Sequence, residues 1–179
     1  MSHAIRSIAL WTLLFALSPF SARAAVTQAK PDGFLLTTSA EIAAPPAAVF
    51  GALGQPGSWW SSSHTWSGDA KNLKLELEPG ACYCERWPGG GVEHARVVFV
   101  KKDEVLRLNG ALGPLQEMAA TGILNFALKP TEKGSALTVT YRLSGDSSHG
   151  LDKIAPFVDK VIAEQIMRLT KFVETGKPD

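Results

Sequence analysis

Cys82 and Cys84 are the only two cysteines of the 179-residue chain, and they stand two apart in the run Ala81-Cys82-Tyr83-Cys84-Glu85. If that run is a strand, both thiols share one face. Their Cα atoms are then about 6.6 Å apart, at the upper edge of what a disulfide accepts. Buried apolar thiols are the first reading, a bridge within the strand the second, and intermolecular pairing or a metal the last. Cys-x-Cys lacks the Cys-x-x-Cys spacing of structural zinc, and the other available ligands, His64, His94 and His149, fall on separate elements. Neither a metal nor a cofactor is expected.

Glu85, His94 and Arg96 lie on two predicted strands joined by Pro88-Gly89-Gly90-Gly91. A loop over those four residues makes Glu85 and His94 cross-strand neighbours. A carboxylate beside an imidazole fixes its tautomer and raises its pKa, the arrangement a general base needs. With His94 and Glu85 as base, Arg142 or Tyr83 is the candidate to hold a developing oxyanion. The competing reading is a surface ion pair, and a register slip of one residue turns His94 to the other face.

The aromatic set Trp59, Trp60, Trp66, Tyr83 and Trp87 suits either an ordinary core or a ligand cavity. Gln165 is the polar exception in an otherwise apolar helical stripe. Buried, it needs a partner in the protein or on a ligand; at the edge of the stripe, water serves. The lining expected for a cavity is Trp60, Trp66, Tyr83, Phe99, Met118, Phe126, Phe157, Val161 and Gln165.

The elements that must position these residues follow from periodicity. Gly150 to Thr175 reads as one amphipathic helix, with Ile154, Val158, Val161, Gln165, Leu169 and Phe172 at steps of three and four. Leu35–Ala43 is a strand, and Pro45-Pro46 starts a helix through Leu53, followed by a second helical turn through Trp59-Trp60. Leu73, Leu75 and Leu77 alternate with charged residues as a half-buried strand does. Ala81–Trp87, Val92–Lys101, Glu104–Asn109, Gly122–Leu128 and Ala136–Leu143 complete a sheet of about seven strands. The class is α+β, an antiparallel sheet wrapped on a C-terminal helix. Residues 34–176 make one domain, and residues 25–33, small and polar with a Pro-Asp-Gly turn, make a flexible tether.

Arg6, an apolar run from Ile8 to Leu17, a Ser18-Pro19 break and Ala22-Arg23-Ala24 form the pattern of a secretory signal over residues 1–24. The apolar run is about ten residues, against the roughly 20 that span a bilayer. Cleavage after Ala24 and a bacterial periplasmic or secreted product are expected, without stable membrane insertion. The chain carries a formal charge of +1; losing Arg6 and Arg23 and no acid brings it to −1. That balance argues against nucleic acid as the main partner.

Ile42-Ala43-Ala44-Pro45-Pro46-Ala47-Ala48-Val49-Phe50-Gly51-Ala52-Leu53, then Trp60, then Glu78-Pro79-Gly80 before a strand, resemble the SRPBCC superfamily. The START/Bet v 1-like members of that superfamily are helix-grip proteins, and the nearest branches are polyketide cyclase/dehydrase and Hsp90-ATPase-activator-like (AHSA1-like). The match runs over about residues 35–175. Gly80-Ala81 stands where many AHSA1-like members have a Gly pair, and Gly150-Leu151 where many have a Trp. The resemblance implies a helix-grip fold, a curved antiparallel sheet gripping the C-terminal helix around a deep apolar cavity. It implies binding of a hydrophobic small molecule such as a lipid, polyketide or aromatic. Catalysis of the cyclase/dehydratase type is the alternative, and a small interaction module with a filled core the third. The protein partner is not read from the sequence.

Overall fold

The computed structural model describes residues 23–179. Among them, eight strands form one curved antiparallel sheet. In chain order they are β1 (Arg23–Lys30), β2 (Gly33–Ile42), β3 (Leu73–Lys74), β4 (Cys82–Trp87), β5 (Gly90–Lys101), β6 (Val105–Asn109), β7 (Thr121–Thr131) and β8 (Gly134–Ser144). Their spatial order is β1-β2-β8-β7-β6-β5-β4-β3. Strands β3 to β8 are therefore a meander, and β2 closes on the last strand with Gly33 opposite Ser144 and Ile42 opposite Ser135.

Three α-helices among the described residues accompany the sheet: α1 (Pro46–Leu53), α2 (Pro56–Trp59) and α3 (Leu151–Thr175). Pro46 and Pro56 each occupy the first helical turn, where their fixed φ is already helical and the missing N–H costs nothing. The 25-residue α3 begins after Gly150 at φ 60° and stops at Gly176 at φ 78°, left-handed positions that favour glycine. It lies against β1 and β2 and touches α1 and α2.

Alternation along the strands supplies the core. Phe34 and Leu36 of β2, Leu124, Phe126 and Leu128 of β7, and Leu137, Val139, Tyr141 and Leu143 of β8 all point inward and are buried. They meet Leu151, Ala155, Ile162, Ile166 and Leu169 of α3. Each fully buried Leu, Ile, Val or Phe among them contributes roughly 1.5–3 kcal/mol. The buried stripe of α3 is thus rotated from the one expected: Ile154, Val158 and Phe172 flank it, half-buried.

Two expectations are corrected. The segment read as a tether is ordered as β1 and its turn, which is why the sheet has eight strands and not seven. Among the described side chains of β1, Val26 alone packs on the core, so alternation does not announce the strand. Its turn is instead anchored from outside, the Pro31 carbonyl accepting from Leu151 N–H at 3.0 Å and the Asp32 carbonyl from Gly145 N–H at 3.0 Å. The Leu73–Leu77 alternation yields a strand of only two residues, Leu73–Lys74, which pair with Glu85 and Cys84 at the edge of the sheet. The signal pattern lies almost wholly in residues outside those described. No helix among the described residues is long and apolar enough to cross a membrane.

Candidate functional site

A cavity of about 460 Å³ opens between the sheet and the first half of α3. Leu73, Tyr83 and His94 form its sheet wall, and Ile154, Phe157, Val158, Val161 and Ile162 its helix wall. Trp60 and the 63–66 segment close one side, and Leu112 to Leu115 the other. The volume is in the range that holds a small molecule, and carbon atoms dominate the walls. Trp66 and Phe157 also line it while remaining 49% and 68% exposed.

Both side walls are pinned. Ser61 N–H donates to Gln165 Oε1 at 2.8 Å, Arg168 Nε to the Trp59 carbonyl at 2.8 Å, and Trp60 Nε1 to the His64 carbonyl at 3.0 Å. His64 Nε2 lies 3.1 Å from Glu164 Oε2, a further link to α3. On the other side the buried Tyr141 hydroxyl accepts from Leu112 N–H at 3.1 Å and donates to the Gly110 carbonyl at 3.2 Å. Burial holds that phenol well above its ordinary pKa, so it stays a donor.

The polar end of the cavity depends on a β-bulge. Tyr83 pairs with Ala95 but Cys84 pairs with Glu93, leaving His94 as the extra residue of β5. His94 and Ala95 consequently both face inward and are buried. This puts His94 on the same side as Tyr83 and Glu85. His94 Nε2 stands 3.2 Å from Glu85 Oε2, and the Tyr83 and His94 rings are 5.4 Å apart. Trp60 packs edge-on to Tyr83 at 5.9 Å and lies 5.6 Å from Trp59, extending the aromatic wall.

Glu85 is fully buried, and its carboxylate accepts from the backbone N–H of Trp66 at 3.0 Å and of Ser67. Burial pushes its pKa up, but the hydrogen bonds from Ser67, Trp66 and His94 together outweigh that, and the net shift is down. Burial likewise pushes the His94 pKa down, only partly offset by the Glu85 carboxylate. The pair is therefore an ionised Glu85 and a neutral imidazole. An ionised carboxylate only accepts, so the His94 proton sits on Nε2 and the Nδ1 lone pair is free. Burial first, and Glu85 second, hold the Tyr83 phenol well above its ordinary value. No hydrogen bond among the described residues reaches His94 Nδ1 or the Tyr83 hydroxyl, and neither is among the buried atoms left without a partner, so both are accessible to solvent.

Of the expected lining, Trp60, Trp66, Tyr83, Phe157 and Val161 come together on this cavity. Phe126 is buried in the neighbouring core with Leu53, Trp59 and Leu124. Met118 packs on the core after the 113–116 turn, away from the cavity wall. Gln165 is buried one turn beyond Val161 and is used structurally, holding Ser61. Phe99 is a correction. A second bulge, at Val98, breaks the alternation of β5 and turns Phe99 outward, 41% exposed with the Arg107 guanidinium 5.1 Å above its ring. Arg142 is another, because the inward alternation of Tyr141 and Leu143 leaves it exposed on the outer face, far from any oxyanion at His94. The 112–115 wall and Ser63–Thr65 carry no periodic signal and were not read from the sequence; the Gly-Pro at 113–114 was the one available cue.

Cys82 and Cys84 form a disulfide, which corrects the preference for free buried thiols. Their Cα atoms are 5.3 Å apart, closer than in an ideal extended strand and within the range a disulfide accepts. The bridge lies on the face of β4 opposite Tyr83 and Glu85, so Cys82 and Cys84 do not share a site with His94. Glu93 comes near both sulfurs, but the two sulfurs are bonded to each other.

No family model matches the chain, and no curated protein does. Solved structures do. An uncharacterized protein from Rhizobium leguminosarum superposes with a TM-score of 0.56 at 18% identity, covering 86% of this chain and 97% of its own. A protein from Rhodobacter sphaeroides gives 0.54 at 16% identity, covering 82% and 95%. The Aha1 dimer from Colwellia psychrerythraea gives 0.52 at 18% identity, covering 80% and 98%. The class these likenesses and the topology define is the helix-grip fold, a sheet closed on a C-terminal helix.

Proposed function

We propose that this chain is an exported protein that holds a hydrophobic small molecule with one polar group in the cavity beneath α3. The observation that carries this reading is the pairing of an apolar space of about 460 Å³ with two polar residues in its wall, His94 and Tyr83. Polar groups in an apolar wall are normally satisfied, so a ligand hydroxyl or carbonyl fits there. A ligand hydroxyl donates to Nδ1, and a carbonyl accepts from Tyr83. The lipid, polyketide and aromatic ligands of the SRPBCC superfamily, which the chain resembles, have this chemistry. Export rests on the Arg6, Ile8–Leu17 and Ala22-Arg23-Ala24 pattern; cleavage after Ala24 leaves Ala25–Lys30 to form β1.

Native mass spectrometry of the purified protein, followed by organic extraction, tests the reading. A molecule that co-purifies, or is taken up one per chain from a lipid and aromatic library, is the expected result. No uptake from such a library overturns it.

A second reading, a cyclase/dehydratase-like enzyme, is favoured by the His94–Glu85 geometry. A neutral imidazole with its tautomer fixed by a buried carboxylate is a competent base, and the Tyr83 hydroxyl a competent oxyanion donor. Under it, His94→Ala abolishes turnover while leaving ligand uptake nearly intact.

A further inference from the structure

The Cys82–Cys84 bridge contributes little to the fold it sits in. It joins residues two apart that the β4–β5 pairing already holds, and the constraint a disulfide places on the unfolded chain grows with the loop it closes. Its surroundings suit exchange better than support. Cys82 is half-buried and Cys84 is 8% exposed, so one sulfur is open to attack and the other is sheltered. Arg86 Nη2 stands 3.8 Å from Cys84 Sγ. Glu93, opposite Cys84 on β5, is the one acid near the sulfurs, and Arg96 engages its carboxylate through two hydrogen bonds, one of them at 3.1 Å. A thiolate on Cys84 therefore meets a guanidinium, with the adjacent carboxylate already paired.

We infer that Cys82 and Cys84 are a dithiol/disulfide redox couple that exchanges with a dithiol partner on the face of the sheet away from the cavity. The thiolate of the partner attacks Cys82 Sγ. A new S–S bond forms there, the Cys82–Cys84 bond breaks, and its electron pair leaves on Cys84 Sγ beside Arg86. The second thiol of the partner then displaces Cys82. The partner dithiol ends as a disulfide, and its two protons end on the Cys82 and Cys84 thiols. Run in reverse, the reduced pair reduces a partner disulfide. A leaving thiolate that is stabilised leaves faster, which is the role of Arg86.

The full chain, equilibrated in glutathione buffers from fully oxidised to fully reduced and then alkylated, is weighed by mass spectrometry while tryptophan fluorescence reports the fold. Two thiols appear together within the glutathione range, with the fluorescence still native. A Cys84→Ser variant treated with glutathione disulfide takes up one glutathione, on Cys82. Arg86→Gln, with an unchanged circular dichroism spectrum, slows reduction by dithiothreitol about threefold. A bond that stays closed in fully reduced glutathione, or opens only as the native fluorescence is lost, overturns the inference. An unchanged rate in Arg86→Gln overturns the role of the guanidinium.

Discussion

His94 Nε2 and Glu85 Oε2 face each other at 3.2 Å inside the sheet, and the imidazole completes the cavity wall while the carboxylate is wholly buried behind it. The contact exists because a bulge in β5 adds His94 to the inward face. It ties three parts of the molecule together, since Glu85 also accepts from the backbone of Trp66 and Ser67 in the segment that leads into the cavity mouth.

Acid destabilises the protein in two steps. The folded pKa of His94 lies below its unfolded value of about 6.5, so the unfolded chain binds the proton more readily. Stability is full above pH 6.5 and is lost as pH falls through the folded pKa. Glu85, also lowered, adds a second loss below its unfolded value near 4.5. Urea midpoints measured from pH 8 to 2 show both steps, and His94→Gln removes the upper one.

Glu85→Ala leaves the N–H groups of Trp66 and Ser67 and the His94 ring donor without their acceptor. At roughly 1–3 kcal/mol for an orphaned buried group, partly relieved by water at the mouth, a loss of about 3 kcal/mol is expected in urea unfolding. Glu85→Gln, which keeps one acceptor oxygen, loses about half as much.

Gln165 is satisfied at one atom only: Oε1 accepts from Ser61 N–H, and the buried Nε2 has no partner. Gln165→Leu therefore orphans one donor and removes another. The net cost is about 1 kcal/mol, less than the loss of a fully satisfied buried amide. Thermal unfolding with circular dichroism detection checks it.

Asp159 on α3 has a buried oxygen without a hydrogen bond, and burial raises its pKa. The raised folded value means ionisation opposes folding as pH rises past the unfolded value near 3.8. Asp159→Asn is accordingly stabilising at pH 7, with the gain shrinking towards pH 4. A urea titration at both pH values reads it.

What the sequence made legible follows from period. The alternation in β7 and β8, the Pro45-Pro46 entry to α1 and the length of α3 each encode a local rule, and the fold class follows from their order. The site is less legible because it is built at departures from period. The bulge at His94 brings it to Glu85 and the bulge at Val98 sends Phe99 away, and neither has a composition signal. Arg142 was misplaced for the opposite reason, since strict alternation from Tyr141 and Leu143 puts it outside. β1 is hidden because its residues are mostly polar or small, and the turn that joins it to β2 is anchored by Leu151 and Gly145, more than a hundred residues away.

The central claim is that the space under α3 takes an apolar molecule, and a titration of 1-naphthol against tryptophan fluorescence tests it most directly, in the natural protein and in Val158→Trp. Val158 lines the cavity wall and is half-buried, so an indole there fills the space without replacing a core residue. The account predicts saturable one-to-one binding in the natural protein and at least about a tenfold loss, ~1.4 kcal/mol, in the filled variant. Equal binding by both proteins would contradict it.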